Sequence, residues 1–100
     1  ESLHVRRTLA EEGVLTIVCI ADPDTGKLAE EPDYLAHGFA SDAMDFEDAT
    51  PAIQRALTKA SKEGIVDLEQ IEELVRQAAS TWAHRRHRRS PLIIPVIVDA

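Results

Sequence analysis

The densest chemistry in this chain is Arg85-Arg86-His87-Arg88-Arg89, a run in which four of five side chains are guanidinium groups. Guanidinium carries a permanent charge and a planar fork of donors, a match for phosphate or carboxylate oxygens. The residues alone leave three readings open. The cluster neutralises the negative end of a helix and continues as a solvated linker, which needs no ligand. It contacts the phosphates of RNA or DNA, joined by Arg6 and Arg7, and positions the backbone without reading bases. Or it docks against an acidic surface of the same protein. Base stacking would fall to Tyr34, Phe39 or Trp82, and Trp82 lies on the apolar face of its helix, where core packing explains it.

The remaining reactive residues do not assemble into a catalytic set. His84 and His87 have a helical ligand spacing, but the arginines around them oppose a bound cation. His4 and His37 are isolated and read as surface or packing residues. Asp42, Asp45, Glu47 and Asp48 surround a helix start, where carboxylates are favoured by the dipole without any metal. Cys19, between Val18 and Ile20, reads as a small buried hydrophobe. A lone cysteine builds no disulfide framework, so a reducing, cytoplasmic setting is expected. There is no Gly-rich phosphate loop, no nucleophile in a recognisable motif, and no His-x-His or Cys-x-x-Cys pair. An autonomous enzyme is therefore disfavoured, and no catalytic or metal residue is assigned.

Composition sets the frame around that cluster. The 100 residues suit one domain, 1–100, with an ordinary balance of 44% apolar and 29% charged residues. A net charge of −7 excludes a wholly basic nucleic-acid footprint. The charge is nevertheless segregated, with acidic residues at Glu30-Glu31, Asp42 to Asp48 and Glu69 to Glu73. No apolar run approaches the roughly 18–20 residues that span a bilayer, so no membrane partner is expected. The chain does not begin with Met, and a fragment or processed product is expected.

The elements that must position the arginines can be read in order. After a helix-compatible lead-in (1–13), carrying Leu3, Val5 and Leu9 and stopped by Gly13, Val14 to Ala21 is rich in β-branched residues and predicts a strand. Asp22-Pro23-Asp24-Thr25-Gly26 predicts a turn, with proline presetting φ, aspartates accepting from turn amides and Gly26 left-handed. A return strand starting at Lys27-Leu28-Ala29, broken at Pro32-Asp33 and resumed over Tyr34 to Ala40, completes a hairpin over 14–40. A helical pair follows over 46–86. The first helix is expected to be capped by Thr50 or Asp48, with Ile53, Ala56, Leu57 and Ala60 as its stripe and Gly64 closing it. The upstream Asp45-Phe46-Glu47 could add a turn at its front. The second is capped by Asp67 with Gln70, and Leu68, Ile71, Leu74, Val75, Ala78, Ala79 and Trp82 form its face. Pro91 ends it. The apolar run of 91–98 then predicts a final strand, buried in the sheet or against a partner, with Pro95 favouring an edge or bulge. The fold class is an α/β (α+β) two-layer sandwich: β-β-α-α-β, a three-stranded sheet with two helices packed on one face.

Four pieces in this order carry a resemblance. They are Leu9-Ala10-Glu11-Glu12-Gly13 before an apolar strand, Asp24-Thr25-Gly26-Lys27 at the hairpin turn, Pro32-Asp33 followed by Gly38-Phe39, and Arg88-Arg89-Ser90-Pro91-Leu92-Ile93-Ile94-Pro95-Val96-Ile97. Together they resemble the C-terminal domain of bacterial ribonuclease J, a metallo-β-lactamase/β-CASP ribonuclease family. The likeness spans essentially the whole chain, with one departure: His37 and Ala40-Ser41 stand where the family commonly has arginine and an apolar-aromatic pair.

The resemblance implies a non-catalytic domain of an enzyme that cuts RNA both endonucleolytically and 5′-to-3′. The zinc of that enzyme is expected in the upstream metallo-β-lactamase/β-CASP domains, whose His-x-His-x-Asp-His motif is missing from this sequence. It also implies homodimer or homotetramer assembly and support of activity on RNA. On this reading Arg85, Arg86, Arg88 and Arg89 contact phosphate, and Leu92, Ile94, Val96 and Ile97 form the interface strand. The competing expectation is a free-standing small-ligand regulatory domain with the same two-layer plan.

Overall fold

Leu15, Ile17 and Cys19 are wholly buried, and with Ala21 they line one face of β1 (Val14–Ala21), the strand around which the domain is built. The computed structural model describes residues 13–38 and 46–100. Their order is β1, β2 (Asp33–His37), a 3₁₀ turn (Phe46–Ala49), α1 (Thr50–Lys62), α2 (Leu68–His87) and β3 (Leu92–Asp99). The lead-in with its Arg6-Arg7 pair and His4, and Phe39, Ala40, Asp42 and Asp45, lie outside the described residues.

The sheet is mixed, in the order β2-β1-β3, so the first strand is central and the last is an edge. β2 pairs antiparallel with β1, from Val14 opposite His37 to Val18 opposite Asp33. β3 pairs parallel with the whole of β1, from Val14 opposite Leu92 to Ala21 opposite Asp99. The helices cover one face. Ile53 and Leu57 of α1 and Ile71, Val75 and Ala79 of α2 meet Leu15, Ile17, Cys19 and Ile93 in a single core.

Most local signals act as expected. The Asp22 carboxylate accepts from the amides of Asp24 (2.8 Å) and Thr25 (3.3 Å), and Gly26 takes φ 76°. A side chain on Gly26 would sit 3.1 Å from the Ile65 carbonyl oxygen, because this turn presses on the connection between the helices. Gly64 ends α1 with a paired closure, its own amide reaching Ser61 and that of Ile65 reaching Ala60. Asp67 caps α2 through the Gln70 amide.

Three expectations need correction. Neither Thr50 nor Asp48 caps α1: the cap is Ala49, already at helical φ −79° and ψ −22°. The 3₁₀ turn runs straight into the helix, so no extended residue is left to fold a side chain back. The Thr50 hydroxyl instead pairs with Tyr34 Oη at 2.7 Å. The return strand does not start at Lys27; Leu28 makes one isolated bridge to Ala21, and β2 begins only at Asp33, after Pro32, which has no N–H to give. Finally, the last apolar run takes the edge position that Pro95 favours, but within this chain it is buried on one face only. Ile93 is buried, but Ile94, Val96 and Val98 are 41%, 38% and 46% exposed. The continuous apolar string reads the same whether one face or both are covered.

α2 ends on Arg88 at φ 55°, a left-handed position that glycine usually fills. The amides of Arg88 and Arg89 still close on His84 and Ala83, at 3.1 and 3.2 Å. Arg88→Gly is therefore expected to raise the unfolding free energy by about 1 kcal/mol, read from urea denaturation. A loss of stability would show that the Arg88 side chain itself holds the helix end.

Burial pushes the Cys19 thiol up to about 11. Folding therefore favours the protonated thiol, and its contribution to stability is complete below the unfolded value of 9.0 and lost as pH rises from there through about 11. Stability should fall in that window by up to ~1.4 kcal/mol per pH unit, and Cys19→Val should flatten the slope. Identical slopes for the two proteins would mean the thiolate is tolerated in the core.

Candidate phosphate-contact and association surfaces

The basic cluster is divided by the end of α2. Arg85 and Arg86 occupy its last turn, Arg88 is its left-handed cap, and Arg89 follows beyond it. Placing arginines here suits the helix dipole. The short connection between α1 and α2 makes them an αα-hairpin, so the start of α1 meets the end of α2. The Arg86 Nε to Asp48 Oδ2 ion pair, at 3.0 Å, spans those two ends. Asp48 thus serves an arginine rather than a helix cap.

A cleft of about 540 Å³ opens along this hairpin on the side away from the core. Its apolar walls are Ala52 and Ala56 of α1 and Leu74 and Ala78 of α2. The stripe read on α1 is thereby split, with Ile53, Leu57 and Ala60 buried while Ala56 turns to the cleft. Trp82 reaches the cleft but is only 8% exposed, set between neighbouring rings. Phe46 lies at a ring-centroid distance of 6.2 Å, and His87 packs edge-on at 4.9 Å. Among the described residues, Trp82 Nε1 and His87 Nε2 are buried without a hydrogen-bond partner.

Three arginines line this cleft: Arg55, Arg85 and Arg86. Arg88 and Arg89 do not line it. Sequence reasoning missed Arg55, Gln77 and Thr81, which read as ordinary solvated helix positions. The only signal was alanine at matching places on two successive helices, where small side chains leave space between the axes. Gln77 is tethered through its amide to Glu73 at 3.1 Å. Hydrogen bonds from Arg76 and Gln77 hold the Glu73 carboxyl down to about 2.

The second surface is the face of the sheet that neither described helix covers. Strand parity puts Leu92, Ile94, Val96 and Val98 on that side of β3, with Val14, Thr16, Val18 and Ile20 beside them on β1. Leu35, 54% exposed, extends the patch across Thr16 onto β2. Ile97 has the opposite parity and packs against the helix-side core. Of the residues expected at the interface, Leu92, Ile94 and Val96 are therefore gathered on one face and Ile97 is not. Among the described residues no group of three His, Cys, Asp or Glu side chains is placed to hold a metal ion, and no helix is long and apolar enough to cross a membrane.

Comparison with known proteins gives the family. Residues 2–100 match the family model of the ribonuclease J C-terminal domain. Ribonuclease J of Mycolicibacterium smegmatis is 24% identical over 93 residues, which cover 93% of this chain and 17% of that protein. Ribonuclease J2 of Bacillus subtilis is 26% identical over 101 residues, covering 97% of this chain and 18% of the relative. For ribonuclease J of Corynebacterium glutamicum the figures are 27% over 94 residues, 93% and 13%. The chain spans less than a fifth of the length of these relatives. A match across nearly every residue, on a fold with the expected order of elements, places the chain in the ribonuclease J C-terminal domain family.

Proposed function

We propose that this chain is the non-catalytic C-terminal domain of a ribonuclease J-like enzyme that degrades and processes RNA in the cytoplasm. The domain supports self-association and helps orient RNA, while zinc and the hydrolytic groups belong to metallo-β-lactamase/β-CASP domains outside this chain. What supports the division of labour is the presence of two unlike surfaces on opposite layers. One is an apolar sheet face; the other is an arginine-lined helical hairpin.

The observation that carries the assembly role is the sheet face. Ile94, Val96, Val98 and Leu35 leave a contiguous apolar patch in water, running out to the edge strand β3. Each such side chain gains roughly 1 kcal/mol or more on being covered. A self-associating partner would cover it. In sedimentation equilibrium of this 100-residue chain, the apparent mass should rise above the monomer with concentration. Val96→Lys should restore the monomer, since the exposed position tolerates a charge without unfolding. A monomer at every concentration would remove the self-association role from this domain.

The RNA role rests on Arg85, Arg86, Arg88 and Arg89. Replacing them with Glu in the ribonuclease that carries the domain should weaken binding to single-stranded RNA. It should also lower the slope of log affinity against log salt by about 0.7 for each phosphate that is no longer neutralised. Unchanged affinity and slope would leave the cluster as helix-end charge alone.

A further inference from the structure

The arginine-lined cleft between α1 and α2 has a shape that the basic run does not require. A solvated patch of arginines would serve phosphates from a flat surface. Here the arginines stand around a recess of about 540 Å³ with apolar walls, within the range of about 300–1,000 Å³ that small-molecule sites occupy. We propose that this cleft is a nucleotide-sized subsite, taking one unstacked base of single-stranded RNA between the helices while Arg55 and Arg85 hold its flanking phosphates. The inference rests on the RNA role above and assigns it to a place and a ligand unit.

Four observations carry it. Three of the four apolar wall residues are alanines, Ala52, Ala56 and Ala78, with Leu74 the fourth, so small side chains leave most of the recess open to a flat aromatic ring. Guanidinium planes on both helices offer stacking to a base and a fork to its phosphate, the combination by which single strands are held. Gln77 and Thr81 add groups that can pair with a base edge, and the tether to Glu73 fixes the glutamine in place. Electrostatics also choose among the arginines. Arg86 is occupied by Asp48, whereas Arg55 and Arg85 bring positive charge from opposite sides of the cleft in a chain whose net charge is −7.

An acidic helix from a protein partner is the rival occupant. A helix with its side chains is about 10–12 Å across and seats through large apolar anchors in matching holes. Walls of three alanines and one leucine, with a glutamine and a threonine among them, suit a flat polar-edged ring better than a row of leucine-sized anchors.

The test uses the single tryptophan of the 100-residue chain as a reporter, since Trp82 lines the cleft. Tetraadenylate is titrated at low salt and Trp82 fluorescence followed. A saturable change is expected, with affinity falling about tenfold in Arg55→Gln and in Ala56→Leu. Arg55 is exposed, so its substitution should not disturb folding, and Ala56→Leu fills the cleft at constant charge. Lys62→Gln, the same charge loss at the far end of α1, should bind within twofold of the unaltered chain. If affinity falls in Arg85→Glu but not in Arg55→Gln or Ala56→Leu, the cleft inference is overturned while the basic cluster keeps its RNA role. If tetraadenylate binds none of these proteins, both readings fall together. Inorganic phosphate binding as tightly as tetraadenylate would also overturn the base subsite. So would polyglutamate competing at the same variants while tetraadenylate does not, which would give the cleft to a protein partner.

Discussion

The domain depends on the burial of one strand from three sides. β1 has a strand on each edge and the helical layer over Leu15, Ile17, Cys19 and Ala21. None of its neighbours has that position, and none would be held without it. β2 and β3 do not pair with each other, so their relative placement is set by their separate pairings with β1. The helices in turn need the flat apolar surface those pairings create. α2 packs on both β3 and α1, and α1 joins the core through Ile53 and Leu57. Removing the β1 side chains would dissolve the hierarchy from its centre, while changes on the outer helix faces leave it standing.

That hierarchy separates the two surfaces for which roles are proposed. The helical layer shields the core and is free to be polar outside, which is where Arg55, Arg85 and Arg86 stand. The sheet has a second face with neither described helix over it, and alternation sends Ile94, Val96 and Val98 there because their neighbours Ile93 and Ile97 face inward. An exposed apolar sheet face of this kind is the sort of surface on which association is proposed. The cleft arginines stand on the helical layer, on the opposite side of the sheet from that apolar face.

How much of this could be read in the chain depends on how far each signal reaches. The Asp22 to Gly26 turn, the Asp67 cap and the Gly64 closure are local chemistry and act as the residues predict. The order of elements follows from periodicity, which is also nearly local. The α1 cap misleads because Thr50 has the right side chain but follows a 3₁₀ turn, and its hydroxyl is claimed by Tyr34 from a strand far away in sequence. Full burial of β3 is a natural misreading because a run such as Leu92-Ile93-Ile94-Pro95-Val96-Ile97-Val98 has no polar alternation to mark its exposed side. The cleft, marked only by alanines on two successive helices, is hard to read for a stronger reason. It is the gap between two helices, and no window along one helix contains both walls.

The register of β3 against β1 has a consequence for how such a domain comes into being. Val14 pairs with Leu92 and Ala21 with Asp99, so the opening strand waits for the closing one across nearly the whole chain. During synthesis, the hairpin and the helical pair emerge first and can flicker into local structure, but β1 lacks one entire edge until residues 92–99 have cleared the ribosome. Loops of that length are slow to close. The arginines of α2 leave the exit tunnel before the strand that anchors their helix, so an interrupted product carries the basic cluster without the platform that aims it. Until β3 has paired, the helix that carries the arginines lacks one of the surfaces it packs on.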